Sequence, residues 1–140
     1  MIYHADSCYL IIPEGRHARG LGVMDYELSR VFTDTIDDQQ LGDAVVWALD
    51  SSNRLISEAR LDFVSEGLEM NGFSSIGELE TRSEIVSVEA NGRQVTARWC
   101  RRRGRSWLSE NSFPSASVQI DQFIAIGAAI RDVFEQGREW

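Results

Sequence analysis

Glu84-Ile85-Val86-Ser87-Val88-Glu89-Ala90-Asn91-Gly92-Arg93-Gln94-Val95-Thr96-Ala97-Arg98-Trp99-Cys100 is the stretch whose reading decides the fold. Two alternating runs flank Asn91-Gly92. An Asn-Gly pair in that setting predicts a type I′ β-hairpin, because both central residues of the turn need positive φ. Successive strand side chains point to opposite faces. Val86, Val88 and Ala90 therefore share a face on the first strand, as do Val95, Ala97 and Trp99 on the second. The other face is expected to carry Glu84, Arg98 and further polar groups, giving a ribbon covered on one side. Gly104 permits a second turn and Arg105–Ser109 a third strand, which makes a meander.

Outward from the meander, Pro114 separates it from a last element. Ser117 is expected to cap a helix over about Val118–Gln136, with Ile120, Phe123, Ile124, Gly127, Ile130 and Phe134 along one stripe, widened by Ile126 and Val133. Gly137 should end that helix, leaving Trp140 as a tail. Toward the N-terminus, Ser74–Leu79 reads as a short helix or turn. Leu55–Met70 reads as a second helix, or in part a strand, with Asn71-Gly72 as its left-handed stop. Asp37–Ser51 is the clearest helix: Asp37 caps it, Gln40 completes a capping box, and Leu41, Ala44, Val45, Ala48 and Leu49 form the apolar face. Trp47 falls off that stripe. Tyr26–Ile36 is a strand pair or irregular, Glu14–Gly22 a surface loop, and Ser7–Ile12 a strand ended by Pro13. These elements predict one α+β domain spanning residues 1–140, a mostly antiparallel sheet or meander with helices packed on one face.

Composition narrows function. A chain of 140 residues buries enough surface to fold without a metal or disulfide. Formal net charge is −8, and all 14 basic residues are Arg. The charge is uneven: residues 1–90 hold 17 acids against 6 Arg, and residues 91–140 hold 5 acids against 8 Arg. A chain of this balance repels phosphate backbones and attracts basic surfaces. No apolar run approaches the ~20 residues that span a bilayer. The start, Met1-Ile2-Tyr3-His4-Ala5-Asp6, lacks the basic-then-apolar pattern of an export signal. A cytoplasmic protein without membrane association is the expectation, and Cys8 and Cys100 are expected to stay reduced.

Motifs for catalysis and cofactors are weak. His4 and Cys8, four residues apart, have no second close pair to complete a zinc site; on one strand they would share a face. His4 and His17 are read as surface residues, and no metal or cofactor is expected. The Gly15–Gly22 glycines match neither phosphate-loop spacing. No nucleophile elbow is present. Arg98, Arg101, Arg102, Arg103 and Arg105, interleaved with Trp99 and Trp107, have the composition of a single-stranded nucleic-acid site. The competing reading is a solvated hairpin end that pairs with the chain's own acids, and whole-chain charge favours it. Asp34, Asp37, Asp38 and Asp43 cluster near one helix start beside Trp47, and carboxylates around an aromatic anchor suit a basic protein partner.

Residues 36–52, Ile36-Asp37-Asp38-Gln39-Gln40-Leu41-Gly42-Asp43-Ala44-Val45-Val46-Trp47-Ala48-Leu49-Asp50-Ser51-Ser52, resemble a pattern of immunity proteins from contact-dependent growth inhibition systems. In that pattern an acid-rich turn leads into Leu-Gly-x-Ala-Val, then Ala-Leu, then Ser near the helix end. The resemblance implies a cytosolic antidote without catalytic activity. Its partner would be the toxic C-terminal domain of a delivered effector, often a nuclease and hence basic. Asp34, Asp37, Asp38, Asp43 and Trp47 are then the expected contact residues. A nucleic-acid-binding adaptor using Arg98–Arg105 is the alternative.

Overall fold

The computed structural model describes residues 1–20, 22–56, 68–69, 71–104 and 106–140. Fourteen elements run in chain order: β1 (Ile2–Ala5), β2 (Cys8–Ile11), β3 (Glu14–His17), β4 (Gly22–Met24), a 3₁₀ turn (Tyr26–Leu28), β5 (Arg30–Thr33), α1 (Asp38–Asp50), β6 (Leu55–Ile56), α2 (Ile76–Arg82), β7 (Glu84–Asn91), β8 (Gln94–Arg103), β9 (Ser106–Leu108), β10 (Ser115–Gln119) and α3 (Phe123–Arg138). The main sheet has the order β10-β8-β7-β1-β2-β5, and β9 pairs with the far end of β8. Every pairing in it is antiparallel. A small sheet, β4-β3-β6, lies beside it. The fold is α+β, with α1 and α3 together on one face of the main sheet.

The apolar face of the hairpin is as the alternation predicts, but the ribbon is not covered on one side only: Ile85 and Cys100, on its other face, are buried in a second core. Val86 pairs with Trp99, Val88 with Ala97 and Ala90 with Val95. The turn differs by one residue. Asn91 pairs with Gln94, so Gly92-Arg93 is the loop, and only Gly92 has positive φ (59°). Glycine at the first central position alone marks a type II′ turn. The shift changes each residue's partner by two places and therefore leaves the faces intact. Glu84 has the parity of Val86 and lies on the helix side, where it receives Arg138. The type I′ geometry belongs to the turn between β1 and β2, where Asp6 (φ 50°) and Ser7 (φ 61°) are both left-handed.

Two cores sandwich the sheet. On the helix face, Ile2, Tyr9, Ile11, Val86, Val95 and Ala97 meet Leu41, Val45, Ile126, Ile130, Val133 and Phe134. On the opposite face Tyr3, Leu10, Ile12, Ile85 and Cys100 meet Tyr26, Leu68, Phe73 and Leu79 of α2. The predicted stop at Asn71-Gly72 is present. Gly72 is left-handed (φ 80°), and Phe73 N–H to Leu68 O (2.9 Å) with Gly72 N–H to Glu69 O (3.0 Å) forms a Schellman closure. Most of the expected Leu55–Met70 helix lies outside the described residues.

α1 carries the predicted capping box: Gln40 N–H donates to Asp37 Oδ1 (2.8 Å), and Asp37 N–H donates to Gln40 Oε1 (3.1 Å). It crosses α3 at two glycines. A Cβ on Gly42 would overlap the Phe123 carbonyl, and one on Gly127 would overlap the Asp38 carbonyl. The backbones therefore touch, closer than side chains ordinarily allow.

Four expectations fail here. Ser117 is no helix cap: it lies in β10, opposite Thr96, with the two hydroxyls 2.9 Å apart. The last helix starts only at Phe123, with Ile124 61% exposed and Ile126 inside. Residues 115–119 alternate exposed and half-buried along the β8 edge, and a strand with a partner outcompetes a helix start there. Gly137 does not stop α3; it is buried where a Cβ would strike the Trp99 ring. Nor is Glu14–Gly22 merely a loop, since β3 and β4 form there, with Gly15 making room for Ile56.

Candidate partner-binding site

The acids singled out in sequence meet different fates. Asp37 is exposed and caps α1. Asp38 accepts from Arg131 Nε (2.8 Å), and Arg131 also donates to Tyr9 Oη (3.3 Å), Asp34 O (3.1 Å) and Ile36 O. Arg131 thus pins the β5–α1 connection onto α3, and Asp38 serves that job. The Asp34 carboxylate lies 3.7 Å from His4 Nε2, away from the outer face of α1. Asp43 is exposed and accepts from Gln39 Nε2 (3.1 Å). Trp47 is half-buried against the core, with the Arg30 guanidinium 3.5 Å over its ring. Structure therefore keeps Asp37, Asp43 and Trp47 along the outside of α1, and turns Asp34 and Asp38 inward. Asp50, in the last turn, adds an exposed carboxylate with no basic residue in that turn to offset it.

Behind this surface is a polar cluster that sequence did not reveal. His4, Tyr9, Asp34, Arg131, Glu135 and Arg138 line a cleft of about 180 Å³. Arg138 Nε donates to Glu84 Oε2 (2.8 Å), and its other end lies 3.0 Å from His4 Nδ1. The Glu84 contact raises the Arg138 pKa further above its ordinary value. These residues come from β1, β2, β7, α3 and the β5–α1 connection, so no local spacing announces them. Its cations are matched by Glu84 and Asp38, which makes it a tie between α3 and the sheet.

Neither histidine is the surface residue expected: His17 is buried, and His4 is half-buried against Tyr9 (ring centroids 4.8 Å apart). His4 pairs with Tyr9, and Cys8 with Ala5, so His4 and Cys8 face opposite sides of the sheet. Among the described residues no group of three His, Cys, Asp or Glu assembles for a metal. Cys8 and Cys100 are free thiols. Their strands are three spacings apart in the sheet, roughly 14 Å, beyond the reach of a disulfide.

The basic segment is split. Arg101, Arg102 and Arg103 are exposed at the end of β8 and line a cavity of about 440 Å³ with Leu108, Glu110 and Phe113. Arg98 lies further back, its Nε buried without a hydrogen-bond partner among the described residues. Arg105 lies outside the described residues. Trp99 packs edge-on against Phe134, and the Trp107 indole nitrogen is buried without a hydrogen-bond partner among the described residues. Trp99 and Trp107 are thus turned inward, each packed against a core, and do not offer their rings to bases at this strand end. Among the described residues, no helix is long and apolar enough to cross a membrane.

The fold and these surfaces define an α+β scaffold with an acidic outer helix. No protein-family model matches the chain, and no curated protein matches it. Its fold is similar to a solved structure described as a protein of unknown function, NMB0488, from Neisseria meningitidis. The TM-score is 0.70 at 13% sequence identity, covering 96% of this chain and 92% of that one.

Proposed function

We propose that this chain is an immunity protein that binds and neutralises the toxic C-terminal domain of a contact-dependent growth inhibition effector. It acts in the cytoplasm as a stoichiometric antidote and makes or breaks no bond. The toxin domain is a basic nuclease, because a surface that attracts phosphates also attracts this acidic protein. The resemblance of residues 36–52 points to this class. The observation that carries it is the outer side of α1, where Asp43 and Asp50 remain exposed on either side of Trp47. Charges so placed steer a cationic partner, and Trp47 beside them already holds the guanidinium of Arg30 over its ring, the contact a partner arginine would make in its place.

The test is co-expression with the toxin domain encoded immediately upstream. A one-to-one complex that survives size exclusion, and protection of the producing cell, are expected. Failure of the two chains to co-purify ends the reading. Added salt should slow association more than dissociation, since steering is screened. A nucleic-acid adaptor is the second reading, supported by the exposed Arg101, Arg102 and Arg103. It predicts low-salt filter binding that charge reversal of those residues abolishes.

A further inference from the structure

We infer that a cavity at the C-terminal end of α1 receives an apolar side chain flanked by Arg or Lys, presented by the protein partner. The inference rests on the immunity reading and moves its docking centre from the start of α1 to its end. The cavity, about 380 Å³, opens between the second half of α1 and strand β7. Its floor is Ile2, Ile11, Val45, Ala48, Leu49 and Val88. A concave site with an apolar floor and a few polar groups is what a docked side chain requires.

Charge chooses the occupant. Glu14 and Glu89 line the same cavity, both are exposed, and among the described residues neither carboxylate takes part in an ion pair or hydrogen bond. No arginine is among the described lining residues. Among the described lining residues the basic group is the Met1 amine, which donates to Ile12 O (3.0 Å). Burial, against the pull of Glu14, lowers it to about 6, so it is mostly neutral at pH 7. The negative end of the α1 dipole also points this way, with Asp50 in the last turn and no cation to offset it. At the other end of α1, by contrast, Asp38 is committed to Arg131 and Asp37 to the cap. Unmatched negative charge therefore flanks an apolar opening, with Glu14 and the end of α1 on one side and Glu89 across the edge of β7 on its other face, which fits a basic-apolar-basic segment.

Two experiments test this. In the first, a catalytically inactivated form of the upstream toxin domain is titrated calorimetrically against Glu14→Arg/Glu89→Arg and, separately, Ala90→Trp at the exposed rim. Each should weaken binding by about tenfold. Glu110→Arg/Glu139→Arg, the same charge change elsewhere on the surface, should change it by less than about twofold. Wild-type binding with both cavity variants unaffected overturns the cavity and leaves the immunity reading standing; no wild-type binding sinks that reading. The second needs no toxin: an end-blocked Arg-Leu-Arg peptide is titrated into labelled protein and followed by amide shifts. Shifts at Val45, Leu49, Val88 and Ala90, lost in Glu14→Gln/Glu89→Gln, support the assignment. No shifts there at millimolar peptide, or equal shifts with Glu-Leu-Glu, overturn it.

Discussion

Gly127→Ala should unfold the protein more easily, although alanine is the better helix former. In α3 the change gains about 1 kcal/mol of propensity. Against it stands the new methyl, which overlaps the Asp38 carbonyl and adjoining backbone. Backbone cannot swing aside as a flexible side chain can, so the crossing must open, at about 3 kcal/mol, the upper end of the usual overpacking cost. The net is about 2 kcal/mol of destabilisation. Unfolding entropy of about 2.1 cal/mol/K per residue gives about 0.3 kcal/mol/K for a 140-residue chain, so Tm falls by about 7 °C. Gly77→Ala in α2 is the internal control: its Cβ would meet only Ser75 Oγ, at 3.8 Å. There propensity acts alone and Tm rises by about 3 °C. Gly42→Ala should behave like Gly127→Ala, and the double variant should cost less than the sum, because one displacement of the helices accommodates both methyls. Calorimetry of the four variants decides it. A rise in Tm for Gly127→Ala would refute the backbone contact between α1 and α3.

Two more outcomes follow from buried polar groups. Asp25 is 3% exposed, and Arg54 grips it with two hydrogen bonds of 2.8 Å; Arg54→Met strands that carboxylate and should cost about 3 kcal/mol in urea denaturation, whereas Arg54→Met with Asp25→Asn should recover part of the loss. Burial raises Tyr26 from 10.0 to about 12 and raises Tyr3 beyond the usual phenol range. The folded state keeps protons that the unfolded chain releases, so stability is intact below pH 10 and falls as pH climbs toward 12. Urea midpoints across that window should show this decline, and Tyr26→Phe should make it shallower; an unchanged slope in Tyr26→Phe would remove Tyr26 as a cause.

What was legible in the sequence is what local physics fixes. The capping box at Asp37, the Gly72 stop and the apolar face of the β7–β8 hairpin follow from neighbours a few residues apart. The hairpin shows the limit of that reading. Asn91-Gly92 signalled a turn, but the loop settled on Gly92-Arg93, because one left-handed glycine suffices for the type II′ form. The Asp6-Ser7 turn carried no glycine and gave no signal, yet it closes the hairpin that sits at the centre of the sheet. β10 was missed for a different reason. Its Ser-Ala-Ser-Val-Gln is a poor strand alone and becomes one only where β8 offers a free edge.

The candidate site divides along the same line. Sequence found acids close together in the chain, at the start of α1, and proximity in sequence there turned out to be employment: Asp37 caps the helix, and Asp38 anchors Arg131 from 93 residues away. A carboxylate that holds the fold together has little charge left to offer a partner, because its field is largely cancelled by its cation or absorbed by the helix it caps. The acids with charge to spare are those the fold leaves without work: Glu14 at the start of β3, Asp50 at the end of α1 and Glu89 in β7. They lie far apart in sequence, and Glu14 and Glu89 meet only because the stacking of α1 on the sheet leaves an apolar opening that both line. In an acidic protein the informative carboxylates are thus the unpaired ones beside exposed apolar surface, and only the folded arrangement tells them from the rest.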